Sequence, residues 1–290
     1  MTADDPIISV IIPTYNRRHV IERAVNSVLS QSMQRFELIV VDDGSTDDTA
    51  EFLRTIADPR LSVIVQPNGG VCVARNSGLA AARCDFVTFL DSDDEAEPGW
   101  LEFYAEARAN GFDLASCAVH FVGPGTLYKL VLPESSDRAF GNIHARFLPG
   151  AFGLAKFLLE EVGAFRPGLR FSEHTDLALR LGGRMLSTPF RVMSVDTPFV
   201  TMHRDERPYD AALQYESSMT LLREDAVHLG RSRRTRATYW AIAGVAASKL
   251  GRHDEARRLL MRAITTNPSA PKHVLRLCRE LLSSRSRVGS

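Results

Sequence analysis

Five aspartates stand where apolar runs stop. Asp42 and Asp43 follow the run 36–41, and Asp91, Asp93 and Asp94 follow the run 86–90. An earlier run, 7–12, ends in Pro13-Thr14-Tyr15-Asn16-Arg17. A lone Asp-Gly-Ser such as Asp43-Gly44-Ser45 is most simply a turn or a helix cap. Several acidic strand ends along one rim are harder to explain that way. Carboxylates at close spacing repel unless a cation sits among them. Oxygen-only donors suit Mg2+ or Mn2+, and such an ion, keeping open positions, carries phosphate oxygens. The chemistry suggested is a metal–diphosphate site, with Tyr15 available to pack on a base.

These residues need a scaffold that brings strand ends together. The runs at 7–12, 36–41, 61–65 and 86–90 read as strands, too uniformly apolar for a one-sided sheet. Amphipathic stretches at 20–29, about Ala50–Ile56 and 71–82 read as helices between them, with Thr46 or Asp47 able to cap the second. Strands alternating with helices predict an α/β fold, a mostly parallel sheet covered on both faces. In such sheets ligands bind beyond the carboxyl ends of the strands. Val40, Val41, Phe86, Phe89 and Leu90 are then core residues. Asn76 and Gly78 fit helix packing as well as ligand binding.

Composition agrees with a globular chain. It has 290 residues, 44% hydrophobic and 24% charged, with 35 basic and 35 acidic side chains. Zero net charge argues against a whole-surface nucleic-acid binder. It hides an asymmetry: residues 1–220 hold 20 basic and 30 acidic side chains, residues 221–290 hold 15 and 5. Cys72, Cys84, Cys117 and Cys278 have no CxxC spacing and read as free, mostly buried thiols in a reducing compartment. The N-terminus lacks the basic and long apolar regions of a signal peptide. No run approaches the ~18 apolar residues of a membrane span. A soluble, cytoplasmic protein is expected.

In order and spacing, Val10-Ile11-Ile12-Pro13-Thr14-Tyr15-Asn16-Arg17, Val41-Asp42-Asp43-Gly44-Ser45, Asn68-Gly69-Gly70, Ala74-Arg75-Asn76 and Phe89-Leu90-Asp91-Ser92-Asp93-Asp94 resemble the inverting glycosyltransferases of family 2. Those enzymes have the GT-A fold. The likeness is close over the first 100 residues and looser to residue 210. It implies a nucleotide-diphospho-sugar donor, UDP-linked by preference. Pro13, Tyr15 and Arg17 would lie beside the base. Asp43 would accept hydrogen bonds from base or ribose, and Arg75 would contact the nucleotide or its phosphates. Asp91-Ser92-Asp93 would be the DxD element, with Asp93 on Mn2+ or Mg2+ and Asp91 supporting ribose or metal-bound water. The metal would neutralise the leaving diphosphate. A nucleotidyltransferase on a related sheet would show a Gly-rich loop and Lys after the first strand, where Pro13-Thr14-Tyr15-Asn16 stands instead.

The implied division is a nucleotide-sugar half over 1–112, an acceptor half over 113–212 and a helical segment over 213–290. Within the acceptor half, residues 114–122 read as a strand and 123–138 as a hairpin or acceptor loop. Trp100 reads as a core residue or as a platform for a sugar. Family members open a later helix with Glu-Asp, whose Asp is the general base. Here that pair is Glu173-His174. His174 itself, with an imidazole suited to proton abstraction near neutrality, Glu173 or Asp176 could be the base. Alternatively His174 is a plain helix-start residue and the domain binds without catalysis. Asp176 and Arg180, at i and i+4, could simply pair on a helix. His203, closing Phe199-Val200-Thr201-Met202-His203-Arg204, resembles the family's late histidine that completes the metal shell; a surface or core histidine is the alternative.

From residue 211 the chain reads as helical. Trp240, Gly244, Gly251, Ala256, Ala263 and Pro268 match one tetratricopeptide-type hairpin, flanked by helices at 213–229 and 273–282. One copy cannot stand alone, so it must pack on the catalytic domain, on its flanks or on a second subunit. Its arginines read as a solvated face, a docking face for an acidic surface or homodimer mate, or a peripheral contact with an anionic membrane carrying a lipid-linked acceptor. No nucleic-acid-reading motif accompanies them.

Overall fold

The β-branched and helical runs of the first 90 residues become a wound sheet in the computed structural model, which describes residues 5–123, 126–203 and 210–285. The strands are β1 (Ile8–Thr14), β2 (Phe36–Asp42), β3 (Leu61–Val65) and β4 (Phe86–Phe89). Between them run α1 (Ile21–Leu29), α2 (Thr49–Thr55) and α3 (Val71–Ala81). These four strands are parallel, with Thr14 opposite Asp42 and Ile11 opposite Phe89. Every residue of β1, β2 and β4 is buried, as strands covered on both faces must be. The order β3-β2-β1-β4 reverses the winding direction at β1. In wound sheets ligands bind at the carboxyl ends of the strands beside such a reversal.

The chain continues through β5 (Glu95–Ala96), α4 (Trp100–Ala109), β6 (Leu114–Gly123), β7 (Thr126–Val131), β8 (Glu134–Ser135), β9 (His144–Ala145), β10 (Phe152–Ala155), α5 (Lys156–Val162), α6 (Glu173–Ser187) and β11 (Val192–His203). The sheet extends as β4-β10-β6-β11-β5, with β7 also on β6. Here β10 is antiparallel to both neighbours while β6 and β11 are parallel, so this half is mixed. Of the stretch 123–138, read as a hairpin or acceptor loop, β7 returns antiparallel on β6, so the hairpin begins earlier, with the strand expected at 114–122; positions 124 and 125 lie outside the described residues, as does Arg204.

Two compact units emerge. Unit 1 comprises residues 1–136, 143–168 and 187–206, and unit 2 comprises 137–142, 169–186 and 207–290. The core of unit 1 packs Val10, Ile12, Leu38, Val40 and Phe86 with Trp100 and Tyr104 of α4. Trp100 is fully buried and its Nε1 donates to the Gly150 carbonyl at 2.7 Å, so it is a core residue rather than a sugar platform. Gly78 lets α3 lie on the sheet: a Cβ there would stand 2.5 Å from Ile11 Cγ2. Asn76 holds the Phe165 backbone through both its amide groups, at 2.7 and 3.0 Å. Cys72, Cys84 and Cys117 are buried thiols and Cys278 is exposed, none of them in a disulfide.

Unit 2 is helical: α6, then α7 (Ala211–Glu224), α8 (Ala226–Leu229), α9 (Arg233–Lys249), α10 (His253–Thr266) and α11 (Pro271–Arg285). Side chains of Asp210 and Ser232 cap α7 and α9 by accepting from Leu213 and Thr235 amides. The expected hairpin is α9–α10, turned at Gly251 with φ +77°. A Cβ on Gly244 would meet Leu260 Cγ at 2.8 Å, so a small residue there permits the close crossing. The pair leans on its flanks: Trp240 packs with Tyr215 and Met219 of α7, and Leu277 of α11 joins Ala241, Leu260 and Ala263. Among the described residues no helix is long and apolar enough to cross a membrane.

Candidate functional site

The rim where β1, β2 and β4 end gathers the residues that the sequence singles out in unit 1. Asp42 caps its own turn, accepting from the Ser45 amide at 2.8 Å. Asp43 is 3% exposed; its Oδ1 accepts from Gln66 Nε2 at 2.7 Å and the Gly69 amide at 2.9 Å, and its Oδ2 from the Gly70 amide at 2.7 Å. The Asn68-Gly69-Gly70 turn is thereby fastened to the end of β2. Gly44 makes this approach possible: with φ +78°, it stands so close that a Cβ would lie 2.9 Å from the Asn68 nitrogen.

Asn16 adopts φ 52° and ties the first rim loop to the second. Its Oδ1 accepts from the Thr46 amide at 2.7 Å, and its own amide donates to Ser45 Oγ at 2.9 Å. The second helix is capped at Asp48 rather than at Thr46 or Asp47, without a side-chain cap bond, while Asp47 accepts from the Thr49 amide at 3.0 Å just ahead of it. Pro13 lies within β1, and Tyr15 is left 45% exposed at the rim. Thr14 Oγ1 and Asp42 Oδ2, on register-paired residues, are buried without a hydrogen-bond partner.

After β4 the chain places Asp91, Asp93 and Asp94 with one carboxylate oxygen each, all within 4.8 Å of one another. Three arginines surround them. Arg75, 1% exposed, donates from Nη2 to Asp91 Oδ1 at 2.8 Å and lies over the Phe165 ring at 5.2 Å. Arg17 Nη2 stands 3.8 Å from Asp93 Oδ2. Arg23 donates from Nη2 to the Asp93 carbonyl. Ser92 is buried between the two outer aspartates of the motif. Asp94 Oδ1 accepts from the His203 amide at 3.0 Å, while Oδ2 is buried without a hydrogen-bond partner. Burial, with Asp91 and Asp93 alongside, pushes the Asp94 carboxyl well above the usual carboxylate range.

This donor set fits a hard divalent cation. Opposed oxygens around Mg2+ stand ~4.2 Å apart, close to the spread of the cluster. The unpartnered Asp94 oxygen has spare ligand capacity, and a cation among the three would stabilise the charge that burial disfavours. The His203 ring contributes differently: Nε2 lies 3.5 Å from Glu95 Oε2, and it is the His203 backbone that reaches the cluster.

The remaining candidates belong to unit 2, at the start of α6. His174 is 8% exposed, and its Nδ1 lies 3.5 Å from Glu173 Oε1. Asp176 is fully buried and accepts from Arg180 Nε at 3.0 Å and from Nη2, so the i, i+4 pair exists. Ser172, just before the helix, has φ 62° and its carbonyl accepts from the Asp176 amide at 3.0 Å.

Two members of the rim were not assigned a role from sequence. Asp94 stands among the acidic strand ends, but its pairing with residue 203 is not a local feature. Arg23 sits on a helix legible mainly by its apolar face; its spacing of four residues from Ser27 was the available signal.

A family model described as Glycosyl transferase family 2 matches residues 9–161. The putative teichuronic acid biosynthesis glycosyltransferase TuaG of Bacillus subtilis is 42% identical over 126 residues, covering 42% of this chain and 48% of that protein. Glycosyltransferase GlyA of Streptococcus pneumoniae is 33% identical over 147 residues, 50% of this chain and 18% of its own. The chain thus spans about half, or less, of the length of these relatives. Among solved structures, S. aureus TarS in complex with UDP-GlcNAc superposes with a TM-score of 0.64 at 20% identity, over 90% of this chain and 81% of that one. At that identity the likeness shows the fold, a GT-A sheet followed by a helical region.

Proposed function

The chain belongs to glycosyl transferase family 2, and from that premise we propose that it moves a sugar from a nucleotide-diphospho-sugar, UDP-linked, to an acceptor hydroxyl with inversion at the anomeric carbon. The observation that carries this reading is the trio Asp91, Asp93 and Asp94 with its unpartnered buried oxygen. TarS, of the same fold, is described with UDP-GlcNAc, which supports a uridine donor.

The roles follow from chemistry. Tyr15, with Pro13 and Arg17, flanks the base, and Asp43 presents a fixed carboxylate to base or ribose. Arg75 faces the phosphates beside Asp91 and Ser92. Asp93 and Asp94 hold Mn2+ or Mg2+, with His203 beside them. The bound ion offsets the negative charge that develops on the leaving diphosphate. The acceptor oxygen forms a bond to the anomeric carbon as the carbon–oxygen bond to the diphosphate breaks. Its proton passes to His174, or to Glu173 or Asp176, and the nucleoside diphosphate carries away the bonding pair. The acceptor half is the region 113–212, and the acceptor is a saccharide, a lipid-linked glycan or a small molecule met in the cytoplasm or at a membrane surface.

A second reading is a nucleotide-sugar-binding protein without catalysis. It is favoured by one observation, the imidazole at position 174 where the family places a carboxylate. Calorimetry separates the elements. Titration of UDP with Mn2+ should show binding that requires the metal, and Asp93→Ala should abolish the metal-dependent part. Retention of that part by Asp93→Ala would remove the site assignment. Transfer or donor hydrolysis in a sugar-nucleotide screen, lost in His174→Ala and Glu173→Ala with binding intact, would remove the non-catalytic reading.

A further inference from the structure

The segment that carries the carboxylates is held from one side by a row of polar groups. Arg23 and Ser27 lie on α1, four residues apart and so on one face, and Gln31 follows just past its end. Arg23 Nη2 donates to the Asp93 carbonyl. Ser27 Oγ accepts from the Ala96 amide at 3.0 Å. Gln31 Nε2 donates to the Glu97 carbonyl at 3.0 Å, and its Oε1 accepts from the Leu101 amide at 3.3 Å. On the other side β11 pairs with β5, and the His203 amide reaches Asp94 Oδ1. The stretch 93–101 is therefore clamped along both edges. Arg23 is its clamp nearest the carboxylates.

We propose that Arg23 is a positioning residue for this cluster: its hydrogen bond to the Asp93 carbonyl sets the spacing at which Asp91, Asp93 and Asp94 take up a divalent cation. The role rests on the divalent-cation reading of those carboxylates. Arg23 spends its donor on a main-chain carbonyl, not on a carboxylate, and its Nε is buried without a hydrogen-bond partner. Its charge also favours the ionised Asp94 carboxylate, against burial. Through space it opposes a second cation. Its two possible effects on metal affinity thus have opposite signs. Arg23→Lys keeps the charge and loses the planar fork, so a positioning role weakens metal binding there and a mere charge does not.

The test is Mn2+ affinity of the full chain, read from the free-ion electron paramagnetic resonance signal without nucleotide. Wild type, Asp93→Ala, Arg23→Met and Arg23→Lys are compared, with circular dichroism and thermal melts to establish folding. Arg23→Met should weaken Mn2+ binding by about 10–100-fold, the usual effect of losing a group that orients metal ligands. Arg23→Lys, which keeps charge but not the planar fork, should fall between Met and wild type. Mn2+ binding by Arg23→Met as tight as wild type, or tighter, overturns the role. If Arg23→Met does not fold, Arg23→Lys decides, and an affinity equal to wild type overturns it. Loss of binding in Asp93→Ala alone removes only the role of Arg23, whereas a wild-type chain that binds no Mn2+ removes the metal reading with it.

Discussion

At the scale of single residues the question is which group takes the acceptor proton. Asp176, itself fully buried, has its carboxylate engaged by Arg180, so proton transfer there must break a charge-assisted hydrogen bond. Glu173 and His174 touch each other at the mouth of α6, and both remain candidates on geometry. They differ in kind, an imidazole against a carboxylate. Free imidazole titrates near 6.5 and free Asp carboxyl near 3.9. If His174 is the base, His174→Asp should keep activity and carry the acidic limb of the kcat/KM profile to lower pH, while His174→Ala should lose about 10²–10⁴-fold. Glu173→Gln should leave the limb in place. A limb that stays put in His174→Asp assigns the proton elsewhere.

At the scale of elements the parallel sheet depends on one buried carboxylate far from the site. Glu37 of β2 accepts from Ser9 Oγ of β1 at 2.6 Å, from the Arg83 amide at 2.7 Å and from Arg83 Nε at 2.7 Å. Burial raises its proton affinity, but hydrogen bonds from Ser9 and Arg83 outweigh that and leave the carboxyl below its usual range. A group depressed in the folded state stabilises above its unfolded value, ~4.3, and that stability is lost as pH falls through the lower folded value. Glu37→Gln should therefore cost about 1–3 kcal/mol in urea unfolding at pH 7. The deficit should shrink at pH 3, and an equal deficit at both pH values would assign the effect to packing instead. The strands around Glu37 were legible in sequence because a buried parallel strand writes itself as an unbroken apolar run. Asp42 and Asp43 were legible for the same local reason. Contacts joined over long separations were not. The Asp94–His203 and Arg23–Asp93 bonds span 109 and 70 residues. Nor does the 3.6-residue period of α6 say that Leu179 packs with Leu221, Leu222 and Leu229 of the helical unit.

At the scale of the molecule, neutrality is a sum of unlike parts. The acidic excess of residues 1–220 includes Asp42, Asp43, Asp91, Asp93 and Asp94, and the basic excess of 221–290 belongs to unit 2. Unit 1 has a sheet core of its own and unit 2 has several smaller helical clusters. Separate cores favour separate cooperative transitions, since a single two-state transition is the habit of single domains. Differential scanning calorimetry should resolve two. All the proposed metal and nucleotide ligands, from Pro13 to His203, are in unit 1. Ligand at about 100 times its dissociation constant adds ~2.7 kcal/mol to whatever it binds. For a unit of this size each kcal/mol is worth about 2–4 °C. Saturating Mn2+ and UDP should thus raise one transition by roughly 5–10 °C and leave the other where it was. Arg23→Met should erase most of that rise at limiting Mn2+ without moving the second transition. A rise shared equally by both transitions would mean that donor binding is read by unit 2 as well, and the nucleotide site would then have to be redrawn to include it.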